Sequence, residues 1–279
     1  MGPTEPVVAV VGLGKLGAPI AACLAARGLR VIGADVDPGK VQAMNQGRPP
    51  VFEPGLGELL EQARGRLWAT TRVEEAGERA DVTFVVVPTP TEEDGTFSLR
   101  YVLDACRRIG TGLREATGYR LVVLTSTVMP GATGGPVLEA LEEASGRRVG
   151  EDLGLCYSPE FVALGSVIRD FLEPDFVLIG ESDPRAGDLL EGLYRRVCTN
   201  RPAVARMIFV NAEVAKLAVN TFVTAKISFA NLLARICELL PGADVDTVTA
   251  ALGLDSRIGP KYLRGRISYG GPCFPRDNR

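Results

Sequence analysis

Two apolar rhythms alternate along this chain. Val7-Val8-Ala9-Val10-Val11 is an unbroken, mostly β-branched run, the pattern of a strand buried on both faces. A glycine-rich turn follows, and Ala18 to Arg27 then carries helical periodicity built from small residues. A second strand is predicted over Arg30–Ala34, and further strands over Val82–Val87, Arg120–Leu124, Gly154–Tyr157 and Phe176–Ile179. Helical stretches such as Leu99–Leu113 and Gly134–Ala144 separate them. The alternation predicts an α/β protein with a doubly wound, mostly parallel, Rossmann-like sheet. A different rhythm begins at Asn211, read as an N-cap. Helical spacing runs from there to about Leu240 with no proline until Pro241. The expected layout is therefore a nucleotide-type domain over residues 1–205, then a long helix over 211–240 within a helical central or dimerisation domain spanning 206–279. A helix that long and apolar does not stand alone in water, so it is expected to pack against a second domain or a second subunit.

Composition narrows the class. The chain has 279 residues, 46% hydrophobic and 23% charged, with a net charge of −3, so there is no basic footprint for nucleic acid. No uninterrupted apolar run approaches the ~20 residues of a membrane helix. Met1-Gly2-Pro3-Thr4-Glu5 leads straight into a strand, so no signal peptide is expected. The six cysteines (Cys23, Cys106, Cys156, Cys198, Cys237 and Cys273) have no CxxC spacing, and most sit in apolar periodic segments. That is free-thiol usage in a reducing cytoplasm, with no metal site expected.

The glycine turn carries the first chemistry. In Gly12-Leu13-Gly14-Lys15-Leu16-Gly17, the first glycine permits the tight turn, Gly14 lets backbone approach a pyrophosphate, and Gly17 lets the helix pack on the sheet. The helix N-terminus offers unpaired amides to phosphate. Asp35, at the end of the second strand, is placed to accept hydrogen bonds from adenosine ribose hydroxyls and to repel a 2′-phosphate, which argues for NAD. Such a loop also occurs as a simple turn in non-binding α/β domains; Asp35 in register counts against that. Lys40 either covers the adenine or is a solvated surface lysine. Three strand ends are expected to meet cofactor and substrate: Pro88-Thr89-Pro90-Thr91, Thr125-Ser126-Thr127 and Ser158-Pro159-Glu160-Phe161. For Thr89 and Thr91, an ordinary turn role is an equal reading.

The second chemistry lies at Tyr269-Gly270-Gly271-Pro272-Cys273-Phe274-Pro275-Arg276-Asp277. A cysteine among glycines and prolines reads as a nucleophile on an irregular loop, and the chain contains no histidine to do acid–base work. A thiol of pKa ~8.5 needs a nearby cation to ionise at neutral pH. Lys216, four residues before Asn220 and so on the same helix face, is a candidate for that cation. Alone, the pair also reads as a snorkelling lysine beside a surface amide. With Cys273, Lys216 and Asn220 become an oxyanion hole for a sulfur adduct. Asp277 and Thr127 are placed to position a hydrolytic water, and Glu160 to act as general base.

Together these segments resemble the UDP-glucose/GDP-mannose dehydrogenase family. The resemblance is carried by the glycine loop, Val87-Pro88-Thr89-Pro90-Thr91, Ser126-Thr127-Val128, Ser158-Pro159-Glu160-Phe161, Ala215-Lys216-Leu217-Ala218-Val219-Asn220, Asp255-Ser256-Arg257-Ile258-Gly259 and the cysteine loop. It implies oxidation of the C6 alcohol of a nucleotide sugar to a carboxylate by two NAD⁺, through a thiohemiacetal and thioester on Cys273, as in polysaccharide biosynthesis. It also implies catalytic roles for Lys216, Asn220, Thr127, Glu160 and Asp277, and a homodimer in which Arg257 reaches the neighbour's substrate. Arg264, Tyr269 and Gly270 fall on the segment lining the sugar nucleotide. UDP-glucose is the first substrate expectation. GDP-mannose and the UDP-N-acetylglucosamine and UDP-N-acetylmannosamine types stay open.

Two departures qualify this. The family carries a second glutamate four residues after the first, where this chain has Leu164. Family members also continue past the cysteine loop into another Rossmann-like domain, whereas this sequence stops at Arg279. The expectation is a truncated chain that binds NAD and holds a sugar nucleotide poorly. Two other readings remain: a catalytically incompetent NAD-binding and dimerisation fragment, and a two-electron β-hydroxyacid-type dehydrogenase, which has no use for Cys273.

Overall fold

The computed structural model describes residues 6–265 and 277–278. It divides into two compact units, with the boundary between Glu213 and Val214 and with Glu93–Gly95 counted in the second.

The first unit is built on an eight-stranded sheet. Its first half runs β1 (Val7–Val11), α1 (Gly17–Ala26), β2 (Arg30–Ala34), α2 (Pro38–Asn45), α3 (Leu56–Gln62), β3 (Leu67–Thr70), α4 (Glu74–Arg79) and β4 (Val82–Val85). There follow α5 (Arg100–Leu113), β5 (Arg120–Leu124), α6 (Leu138–Ser145), β6 (Leu153–Tyr157), α7 (Val167–Leu172), β7 (Phe176–Glu181), α8 (Pro184–Val197) and β8 (Ala203–Met207). The order β3-β2-β1-β4-β5-β6-β7-β8 reverses direction of winding between β1 and β4, the switch point of a doubly wound sheet. β3 through β6 pair in parallel; β7 turns antiparallel to β6 through Cys156–Glu181 and Tyr157–Gly180, and β8 runs parallel to β7. The all-apolar strand runs are explained by cover on both faces, with Val8, Val10, Phe84, Leu121 and Val123 buried in one core with α1. The small residues of α1 let it lie close on the sheet, and nine of its ten residues are buried.

Several expectations shift. β3 and β8 have no counterpart in the sequence reading; both are short edge strands, and neither carries a long apolar run. β4 ends at Val85 rather than Val87, because a side chain takes over the ladder: Val87 N donates to Ser126 Oγ (3.0 Å), and Ser126 Oγ donates to the Val87 carbonyl (2.7 Å). The helix expected over Gly134–Ala144 begins only at Leu138. Before it lies a wide turn, Thr133–Val137, with Gly135 off the helical region and Pro136 unable to donate.

The second unit is helical, with α9 (Phe209–Glu238) entering it from the first unit and α10 (Val245–Gly253) following. Asn211 is inside α9, not its cap; the helix starts two residues earlier and the Ile208 carbonyl accepts from Ala212 N. It ends before Pro241-Gly242, where Gly242 takes φ +83°. By length and composition α9 is apolar enough to cross a membrane, although charged and polar residues interrupt its apolar runs. Its polar residues Glu213, Lys216 and Thr224 are nevertheless buried, as in a packed helix. A second stripe is exposed and apolar: Phe222 (68%), Phe229 (47%), Leu232 (55%) and Ile236 (45%) recur at helical spacing along one side.

Candidate active site

The glycine loop after β1 sorts its glycines by what lies above each. Gly12 sits at φ +99°, and a Cβ there would stand 2.3 Å from the Val86 carbonyl oxygen. A Cβ on Gly17 would meet the Gly12 carbonyl oxygen at 1.7 Å. Those two are packed against the protein itself. Gly14 has nothing within 4 Å of its missing Cβ, so the loop keeps one open backbone face. The N-terminus of α1 begins there, with no side-chain cap and no acid in its first turn, leaving the amides and the positive helix end for an anion. Leu13 is buried, Lys15 exposed and Leu16 half-buried at the helix start.

Asp35 closes the end of β2 beside this loop. Its Oδ2 accepts from Leu13 N (2.7 Å) and Lys40 Nζ (3.1 Å), and its Oδ1 from Asp37 N (2.9 Å). Oδ1 is the oxygen with capacity for a further donor. Lys40 is turned onto Asp35 in an ion pair at the surface. An open glycine face, an uncapped helix N-terminus and a fixed carboxylate one strand away fit a dinucleotide: pyrophosphate on the first two, ribose on the third.

The ends of β4, β5 and β6 form the other half of this edge. Thr89 is buried and its hydroxyl donates to the Thr127 carbonyl (2.8 Å), tying the β4 turn to the β5 turn. Pro88, Pro90 and Thr91 are exposed; Thr91 pairs with Phe97 in an isolated bridge. Ser126, expected among cofactor contacts, spends its hydroxyl on Val87. Thr127 is half-buried, and the hydroxyl of Thr125 is buried without a hydrogen-bond partner among the described residues. After β6, Ser158 Oγ lies 3.0 Å from Tyr194 Oη. Glu160 is half-buried; beyond burial itself, its negative charge helps raise the pKa of Cys23 to about 12 and of Cys198 to about 11, and raises that of Tyr194. Phe161 packs its ring on Phe176, centroids 4.7 Å apart, and Leu164 is exposed.

Two buried carboxylates escaped the sequence reading. Glu53 Oε1 and Oε2 accept from Val167 N (2.7 Å) and Gly165 N (3.1 Å), holding the segment that follows Glu160-Phe161. Glu213 Oε2 and Oε1 accept from Gly131 N (2.6 Å) and Thr133 N (2.8 Å), holding the turn that follows Thr127. The only sequence signal was an acid amid apolar neighbours at each position.

In the second unit, Lys216, Asn220 and Thr224 occupy successive turns on one face of α9, and Lys216 is 6% exposed. Asn220 Nδ2 donates to Asp277 Oδ2 at 2.6 Å, and Thr224 Oγ1 to Asn278 Oδ1 at 2.8 Å. The chain end is thereby docked by two adjacent residues onto the face that begins with Lys216. Thr224 and Asn278 were missed; the i, i+4, i+8 recurrence of polar residues was the available signal. Arg257 is exposed and forked onto Asp255 (2.6 and 3.0 Å), and Arg264 is exposed. Cys273, Tyr269 and Gly270 lie outside the described residues.

The UDP-glucose/GDP-mannose dehydrogenase family model for the NAD binding domain matches residues 7–198, and that for the central domain residues 210–279. The GDP-mannose 6-dehydrogenase of Pseudomonas aeruginosa is 38% identical over 276 residues, covering 98% of this chain and 62% of that protein. The UDP-glucose 6-dehydrogenase AglM of Haloferax volcanii is 39% identical over 273 residues, covering 97% and 63%. Among solved structures, a UDP-glucose dehydrogenase from Pyrobaculum islandicum superposes with a TM-score of 0.91 at 40% identity, covering 99% of this chain and 63% of that one. A 3-hydroxyisobutyrate dehydrogenase of Mycobacterium tuberculosis, at 18% identity and a TM-score of 0.58, shares the fold alone. The chain spans less than two thirds of the length of the curated relatives named here. With both family models matched along a chain that carries the glycine loop, the anchored Asp35 carboxylate and a lysine–asparagine helix face, the chain belongs to the UDP-glucose/GDP-mannose dehydrogenase family, and the cofactor of its N-terminal unit is NAD.

Proposed function

We propose that this chain serves the four-electron oxidation of the C6 alcohol of a nucleotide sugar, UDP-glucose first among the candidates, to the carboxylate. The observation that carries the reading is the Asn220–Asp277 hydrogen bond, which docks the end of the cysteine loop onto the helix face bearing Lys216. Gly12, Gly14, Gly17 and Asp35, with Leu13, Lys15, Leu16 and Lys40 around them, would hold the adenosine and pyrophosphate. The turns at Pro88–Thr91 and Ser126–Thr127 would hold the nicotinamide half. Bound NAD⁺ supplies a hydride acceptor, twice per turnover.

The residues divide the remaining work. As the first hydride leaves C6, its hydroxyl proton passes to a base and an aldehyde forms. The Cys273 thiolate adds to the aldehyde carbon, and the developing alkoxide is met by Lys216 and the Asn220 amide. One N–H of that amide is committed to Asp277, which fixes the plane of the other. Loss of a second hydride from that alkoxide carbon to NAD⁺ gives the thioester. Water, positioned by Thr127 and Asp277 and deprotonated by Glu160, then attacks the thioester carbon and expels the thiolate. Phe161, Arg264, Tyr269 and Gly270 would line the sugar nucleotide. Arg257 would serve the neighbouring subunit of a homodimer formed along the apolar stripe of α9. The free thiols of the described residues support residence in a reducing cytoplasm.

The test offers the chain NAD⁺ and a panel of sugar nucleotides, with NADH followed by absorbance and products by mass spectrometry. Two NADH per acid are expected, and Cys273→Ser should stop the reaction at the aldehyde level. Acid formation unchanged in Cys273→Ser would exclude the covalent route. Calorimetry should show NAD⁺ binding that Asp35→Asn weakens.

A further inference from the structure

The fully buried Glu213 has no place in the chemistry above, and a charge out of water is expensive unless something specific is done with it. Among the described residues its partners are not cations. They are two backbone amides, Gly131 N and Thr133 N, one on each carboxylate oxygen. Those amides belong to an irregular turn on this edge of the sheet. Gly131 lies at φ +92°, Gly135 leaves the helical region, and Pro136 lacks a donor. The near side of this turn is already tied to the sheet, through Ser126 to Val87 and through Thr89 to the Thr127 carbonyl. Glu213 ties its far side to the first turn of α9.

We infer that Glu213 is a positioning residue that holds the Ser126–Thr133 turn against the nicotinamide half of the bound dinucleotide. The selectivity follows from the order of strands. Asp35 and the glycine loop sit at the ends of β2 and β1, the adenosine half. β5, from which the turn emerges, lies on the other side of the switch point. Loosening the turn should therefore weaken grip on the nicotinamide end and leave the adenosine end alone. The inference rests on the reading that Ser126 and Thr127 meet the cofactor.

The two halves can be read separately by titrating the chain with NAD⁺ and with ADP-ribose, which lacks the nicotinamide. Glu213→Gln keeps one acceptor oxygen but sets an N–H donor against an amide; Glu213→Ala removes both acceptors. NAD⁺ affinity is expected to fall about tenfold or more in Glu213→Ala and less in Glu213→Gln, since small misplacements of a held group are felt strongly. ADP-ribose affinity should stay within about twofold of wild type. Gly131→Ala disturbs the same turn without touching the carboxylate, because its φ is strained for alanine although its Cβ meets nothing, and it should show the same split. This keeps the test open should Glu213→Ala fail to fold. Parallel loss of both ligands, or loss of neither, in Glu213→Gln and Gly131→Ala overturns the positioning role while the NAD assignment stands. Wild-type protein that binds neither ligand overturns that assignment and this role together.

Discussion

The two units solve the problem of hiding apolar surface in opposite ways. The N-terminal unit covers both faces of its sheet with its own helices, so strands such as Val7–Val11 and Arg120–Leu124 are buried almost end to end. Among the described residues the C-terminal unit is built on α9 and α10, and α9 shows Phe222, Phe229, Leu232 and Ile236 to solvent. The contrast teaches where specificity is stored. In the sheet unit it lies in backbone close packing, where a single methyl cannot be added. In the helical unit it lies in one polar face, Lys216–Asn220–Thr224, while the apolar face asks for a partner of like character.

The sharpest way to break this comparison is at the glycines. Gly17→Ala drives a Cβ into the Gly12 carbonyl, a backbone-on-backbone clash with no side chain to yield. It is expected to cost about 3 kcal/mol and to abolish NAD⁺ binding, read by chemical denaturation and calorimetry. Gly14→Ala meets open space, so it should keep the denaturation midpoint and still lose NAD⁺ affinity about tenfold. Equal destabilisation by the two changes would refute the division of labour in the loop.

Next comes thiol reactivity. Burial, with help from Glu160 and Glu53, pushes Cys23 up to about 12; burial alone does the same for Cys106; burial and Glu160 bring Cys198 to about 11. At pH 8 these carry roughly 10³–10⁴-fold less thiolate than thiol. Iodoacetamide mapped by peptide mass should label Cys273 about 10²-fold faster than all three. Comparable rates would leave Cys273 without an activated sulfur.

The helical unit is tested by its stripe. Phe222→Asp and Phe229→Asp place charges where a second copy would pack, and each should raise the dimer dissociation constant about 30-fold, or ~2 kcal/mol, in sedimentation velocity. A wild-type chain that sediments as a monomer at high concentration would remove the homodimer. The smallest effect expected is back in the sheet unit. The Arg108 guanidinium, 2.8 Å from Glu74, holds that carboxyl below its ordinary pKa. A depressed folded-state value adds stability above the unfolded pKa of ~4.3 and loses it as pH falls through the folded value. Arg108→Gln should thus lower stability at pH 7 by under about 1 kcal/mol, a difference that fades in acid.

Much of this was legible along the chain because strand runs, glycine turns and helix spacing are local signals. The β1–loop–α1–β2 unit, its terminal Asp35 and the parallel winding were read from residues adjacent in sequence, and so was the pairing of Lys216 with Asn220 one turn apart. Edge strands β3 and β8 were not, since a short strand paired on one side needs no distinctive run. Nor was the early stop of β4, which a serine from the turn after the neighbouring strand imposes.

What the amino-acid order determined by itself was the family and its candidate chemistry: a glycine loop, a lysine–asparagine face and a cysteine among prolines, each encoded within a few residues. What only the tertiary structure decided was how that chemistry is held. Glu213 finds its amides eighty residues away, Glu53 more than a hundred, and Asn220 finds Asp277 across fifty-seven. Hydrogen bonds are short-ranged and directional, so partners this remote in sequence are selected only when the fold brings them within three ångströms.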